Sequence, residues 1–212
     1  KKDVAHEVRQ QFSARLPPRL EVVDASPPED AVFSRLATAS FPTLDRHRRG
    51  ATPLFRTTLL KAFLSSPAAC RATLDERLRT LSSHAGPEVD ADRALLHALD
   101  TLAAAVDPSV PGAWPKFERL LGWLAEAGWT GRGALGARVV IFSERVDTLE
   151  ALRTLLVARL GLDKRPDAVA LFHGALKDTR QDEVIRDFGV EDGRVRILLA
   201  SDAASEGINL HY

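Results

Sequence analysis

The chain has 212 residues, 45% of them apolar and 27% charged, and its 29 basic residues balance 29 acidic ones. That is enough apolar material for one large or two small globular domains, and the zero net charge excludes a polyanion-seeking basic tail, so any nucleic-acid contact must come from placed residues. A single cysteine, Cys70, excludes an internal disulfide and a cysteine-based zinc site.

No apolar run approaches the roughly 18 residues needed to span a bilayer, and the start, Lys1-Lys2-Asp3, lacks the features of a signal peptide. No membrane partner is expected, and a cytoplasmic location is the default. No methionine occurs anywhere, including position 1. The expectation is a fragment of a longer polypeptide or a processed chain.

Residues 1–28 are expected to be a connector. Val4, Val8, Phe12 and Leu16 recur at helical spacing until Pro17-Pro18 forbids continuation. Leu20 to Ala25 alternates weakly, as a short strand would. Ser26-Pro27-Pro28-Glu29-Asp30 then reads as the entry to a helix, with Ser26 or the acidic pair at its cap.

Residues 29–131 read as a helical region without a sheet of its own, projecting as a bundle. Apolar residues share faces in five groups: Val32, Leu36 and Ala39; Leu54, Leu59, Leu60, Phe63 and Leu64; Leu74, Leu78 and Leu81; Leu95, Leu99 and Leu102; Phe117, Leu120, Leu121 and Leu124. Pro42, Pro53, Pro67, Pro87, Pro108 and Pro111 punctuate them. Thr130 to Gly136 is glycine-rich and reads as a flexible linker.

Residues 132–212 change period. Continuous apolar runs at 138–143, 168–172 and 195–200 suit strands covered on both faces of a parallel sheet. Helical patterns near 146–160 and 178–188 lie between them. The fold class is α/β: a partial parallel sheet, βαβαβ, preceded by a mainly helical region. In such sheets ligands gather at the carboxyl ends of strands, which draws attention to Ser143, His173-Gly174 and Ser201-Asp202.

The three strand ends resemble, in order and spacing, motifs of the second RecA-like lobe of superfamily 2 helicases and translocases. Val139 to Ser143 followed by Asp147-Thr148-Leu149 is similar to helicase motif IV. Leu171-Phe172-His173-Gly174 with Arg180 and Phe188 is similar to the "HG…R…F" segment. Ile197 to Leu210 is similar to motif V, and its Glu206-Gly207-Ile208-Asn209-Leu210 ending resembles the Swi/Snf-like branch. Lys1 to Val4 with Leu16 to Leu20 resembles the connector of that branch, and Leu64-Ser65-Ser66-Pro67-Ala68-Ala69 a segment of bacterial members.

The resemblance implies part of an ATP-dependent motor moving on nucleic acid, with duplex DNA favoured as partner. It also implies a first helicase lobe in the same polypeptide, holding most of the ATP and Mg2+, because no phosphate loop, acidic magnesium motif or motif VI arginine occurs here. The chain alone is then expected to be catalytically inactive. A strand-separating DNA or RNA helicase, and a non-catalytic helical interaction module on a degenerate lobe, are the alternatives. The helical region is a place for protein partners.

Ser143, Gly174, Arg180, Ser201 and Asp202 are the expected nucleic-acid contacts. Glu206, Gly207 and Asn209 are the expected link to the ATP cleft, since Gly207 permits close backbone approach. Each has a plain structural alternative. Ser143, Ser201 and Asp202 suit helix caps, Arg180 a solvated helix surface, and His173 a packed histidine. The basic cluster Arg46-His47-Arg48-Arg49 reads as solvated, and Trp114, Trp123, Trp129 and Cys70 as packing residues.

Overall fold

A computed structural model describes residues 17–47, 51–131 and 133–201. The helical pattern at Val4–Leu16, and Arg48 and Arg49 of the basic cluster, lie outside the described residues. Six helices come first: α1 (Pro27–Ala37), α2 (Pro42–His47), α3 (Ala51–Ser65), α4 (Pro67–Leu81), α5 (Pro87–Ala104) and α6 (Pro115–Glu126).

Five of these begin on proline, and three of the prolines expected to separate helices, Pro42, Pro67 and Pro87, in fact start them. The first helical N–H has no partner within the helix, and proline's fixed φ already suits that position. Residues 42–47 therefore form a helix that the apolar spacing did not reveal, and Pro53 lies inside the first turn of α3. Ser26 caps α1 in a reciprocal box. Its Oγ accepts from Glu29 N–H at 3.3 Å, and its own N–H donates to the Glu29 carboxylate at 2.8 Å. Leu20 to Ala25, expected as a strand, belongs to no sheet. Leu20 and Val22 are 90% and 85% exposed, so weak alternation there buries no apolar face.

The sheet follows, with β1 (Val139–Phe142), α7 (Val146–Arg159), β2 (Val169–Phe172), α8 (Asp178–Gly189) and β3 (Ile197–Ala200). All pairings are parallel and the strand order is β1-β3-β2. The first crossover skips one place and the second returns to fill it. Two right-handed crossovers in opposite directions put their helices on opposite faces.

The core confirms that arrangement. Leu149, Leu152 and Leu156 of α7 join Val169, Ile197 and Leu199, while Val184 and Phe188 of α8 join Ala170, Phe172, Leu198 and Ala200. Alternate strand residues thus serve opposite cores. The β1 end is less covered than its apolar run suggests: Phe142 is 51% exposed, because β1 is an edge strand and α8 packs against β2.

The helices do not stand clear of the sheet as an independent bundle. Val32, Leu59, Phe63, Leu74, Leu96, Leu99, Phe117 and Leu124 share one buried cluster with α7, Ile197 and Leu199. Each such fully buried side chain stabilises by about 1.5–3 kcal/mol relative to exposure.

The glycine-rich stretch is likewise held rather than loose. Gly133 N–H donates to Leu160 C=O at 2.9 Å, and Trp129 Nε1 donates to Ala137 C=O at 2.9 Å. A Cβ on Gly136 would meet Trp129 Cδ1 at 2.5 Å and the Ala127 carbonyl oxygen at 2.6 Å.

A candidate nucleic-acid interface at the strand ends

The parallel register sets Phe142, Ala200 and Phe172 side by side. The residues that follow them, Ser143, Ser201 and His173, consequently emerge at one level along the carboxyl edge. Ser143 N–H donates to Ala200 C=O at 3.1 Å, and Ser201 N–H to Phe172 C=O at 2.9 Å, which continues the ladder one residue past the strands. Ser201 and His173 are buried, and His173 Nδ1 has no hydrogen-bond partner among the described residues. Gly174 is exposed, and a Cβ there would meet nothing within 4 Å, so its backbone is open to approach.

Arg180 is not part of this group. It projects from the first turn of α8, pairs with Glu183 at 3.1 Å, and lines a groove of about 550 Å³ along the outer edge of β2. Its side chain is 58% exposed, so water screens that pair and it contributes little to stability. Asp202, Glu206, Gly207 and Asn209 lie outside the described residues.

The helical region reaches the site through hydroxyl groups. Ser66 caps α4, its Oγ accepting from Ala69 N–H at 3.0 Å. Ser66 Oγ and Ser65 Oγ each lie 2.7 Å from Thr148 Oγ1, and Ser65 Oγ lies 3.2 Å from Ser143 Oγ. Ser143 Oγ also accepts from Arg145 N–H at 3.2 Å. Arg145 in turn spans Asp147 at 2.9 Å and Thr73 of α4 at 3.0 Å. Sequence spacing did not single out Ser65, Ser66 or Thr148 as site residues. The Ser65-Ser66-Pro67 string was the available signal, since two hydroxyls before a helix-starting proline supply one cap and one residue to spare.

A groove of about 430 Å³ opens beside Ser143, lined by Ser65, Lys116, Phe117, Trp123 and Phe142 among others. Trp114 and Trp129 are packed as expected, but Trp123 is 38% exposed under the Arg119 guanidinium, 5.5 Å from its ring. Helix α6 shows this face to solvent because Arg119 turns to Glu21, 2.9 Å away. The Arg119 hydrogen bond holds the Glu21 carboxyl below its ordinary range. Lys116 donates to Leu64 C=O, and desolvation lowers its amine below the ordinary lysine value. Cys70 is buried, and burial pushes its thiol up to about 12, as suits a packing residue.

Residues 116–212 match the family of helicase conserved C-terminal domains. No curated protein matches the sequence. Among solved structures the chain is similar to the Sulfolobus solfataricus SWI2/SNF2 ATPase C-terminal domain, at 19% identity and a TM-score of 0.34. That likeness covers 64% of this chain and 57% of the other, and adds nothing to the family match. The family match includes the whole parallel sheet and all three strand ends, so residues 116–212 are similar to helicase conserved C-terminal domains.

Proposed function

We propose that this lobe is part of an ATP-dependent, Swi/Snf-like translocase that couples ATP hydrolysis to movement on duplex DNA in the cytoplasm. The observation that carries the reading is the alignment of Ser143, His173 and Ser201 along one carboxyl edge, with Gly174 next in the chain, within the segment that matches the helicase family. A backbone-tracking motor needs donors at that edge, because phosphate contacts position a protein without reading sequence. In this reading Ser143, Gly174, Ser201 and Asp202 contact phosphates, and Arg180 adds a flanking contact from α8. Glu206, Gly207 and Asn209 relay the state of the ATP cleft to that edge.

ATP and Mg2+ are the cofactors of the proposed motor. Among the described residues no group of three or more His, Cys, Asp or Glu side chains is arranged to hold a metal ion. Phosphoryl transfer needs a phosphate loop, metal ligands and a charge-stabilising arginine. In the proposed arrangement the first lobe of the same polypeptide supplies most of these, and this chain alone turns over no ATP.

The test is the ATPase of the full-length protein with duplex and with single-stranded DNA of equal length. Greater stimulation by duplex is expected, whereas stimulation by single strands alone would sink the duplex reading. Arg180→Ala is expected to weaken duplex binding equally across sequences and to lower the salt slope by about 0.9. An unchanged slope returns Arg180 to a solvated helix surface.

A further inference from the structure

The hydroxyls between the helical region and β1 form a chain with a direction. A serine or threonine hydroxyl has one proton and two lone pairs. Ser66 is fully buried and already accepts from Ala69 N–H. Its proton is satisfied only by donation to Thr148 Oγ1, 2.7 Å away, and a buried unused donor is costly. Thr148 is buried as well and has then only Ser65 Oγ, at 2.7 Å, to receive its proton. Ser65 passes its own to Ser143 Oγ at 3.2 Å.

With Ser65 as the donor of that pair, Ser143 accepts from both Ser65 and Arg145 N–H. Its own proton has Arg145 C=O at 3.5 Å as acceptor, the outer limit of a hydrogen bond and easily exchanged. Aligned hydroxyls polarise one another, which strengthens the terminal donor. That donor lies on the wall of the groove that Lys116 also lines, together with the Arg119–Glu21 pair. Lys116 is tethered to Leu64 C=O, the residue next to Ser65, and forms no ion pair among the described residues.

We propose that the helical region completes the site: Ser66, Thr148 and Ser65 hold the Ser143 hydroxyl as an outward donor, and Lys116 supplies the charge, so that the groove takes one phosphate of a nucleic-acid backbone. The proposal rests on the nucleic-acid reading above and deepens it. Ser143 and Lys116 touch the phosphate, and Ser65, Ser66 and Thr148 are positioning residues. Desolvation lowers the Lys116 amine and the Glu29 charge opposes that, so an arriving phosphate would add a second opposite charge beside it.

The experiment measures binding of a fluorescent 20-base-pair duplex to the full chain across a salt series. It uses Ser143→Ala, Ser65→Ala, Lys116→Ala, Ser65→Thr and the double variant Ser65→Ala/Ser143→Ala. Thermal unfolding confirms that each is folded. Loss of one hydrogen bond is expected to weaken binding about 2- to 10-fold in Ser143→Ala and in Ser65→Ala. The double variant should be no weaker than Ser143→Ala, because Ser65 acts through Ser143. Ser65→Thr restores the hydroxyl and should restore affinity, which a packing role at Ser65 does not predict. Lys116→Ala should lower the salt slope by about 0.9.

In parallel, inorganic phosphate is titrated into the isotopically labelled chain while the backbone signals of Ser143 and Lys116 are followed. Wild-type affinity in both Ser65→Ala and Lys116→Ala, with Ser143→Ala weakened, overturns this proposal and leaves the nucleic-acid reading standing. A chain that binds no duplex, yet whose Ser143 and Lys116 signals shift with phosphate, overturns that reading and keeps the phosphate site.

Discussion

The helices of residues 27–126 turn their apolar residues to several neighbours at once, whereas each of the three strands has one register and one exit. Strand residues alternate between two cores, and the residue after each strand emerges at the same edge. A functional position in the sheet is thus marked by where an apolar run stops. The helices have no such common edge. Their contribution to the site comes from a corner, Ser65-Ser66 between α3 and α4, which apolar spacing leaves unmarked. Function in a sheet is written at strand ends, and in the packed helices at the turns between them.

The sharpest test of the comparison is whether the two regions unfold together. Leu99→Ala in α5 and Leu199→Ala in β3 each empty a fully buried place in the same cluster, and each is expected to cost about 2–5 kcal/mol. Calorimetry and denaturant titration should show one shared transition for both variants. Two transitions, with Leu99→Ala moving only one, would divide the core that the structure joins.

A smaller effect separates a clamp from a linker. Gly136→Ala places a methyl group 2.5 Å from Trp129 Cδ1, which should cost about 1–3 kcal/mol and perturb tryptophan fluorescence. A neutral outcome would mean that the glycine-rich stretch yields freely.

The smallest effect concerns a single cap. Ser26→Ala removes the α1 capping box and a 2.8 Å bond from Ser26 Oγ to Ala113 C=O, for an expected loss of about 1 kcal/mol in denaturant titration. A loss as large as the core variants would show that α1 is held by its end and not by Val32 and Leu36.

The α/β class, the three strands and both crossover helices were legible because long buried apolar runs separated by helical periods admit few other arrangements. The position of β1 was legible but its exposure was not, since sequence does not say which strand takes the edge. Helix α2 was hidden because proline marks both a stop and a start. Trp123 read as core from its apolar neighbours, and only the Arg119–Glu21 pair explains why that face turns outward. Ser143 was found by its place at a strand end. Lys116 was missed because its relevance depends on α6 lying against the end of α3, a contact between residues 52 positions apart.

The strand order has a practical consequence for handling the chain. With β3 in the centre, β1 and β2 each keep one side unpaired among the described residues, and β1 ends on the half-exposed Phe142. Unpaired main-chain donors and acceptors beside an aromatic ring are a template for strand addition by any passing chain. Colloidal behaviour should therefore worsen with protein concentration, and a charged residue in place of Phe142 is the change most suited to improve solubility without touching the buried core.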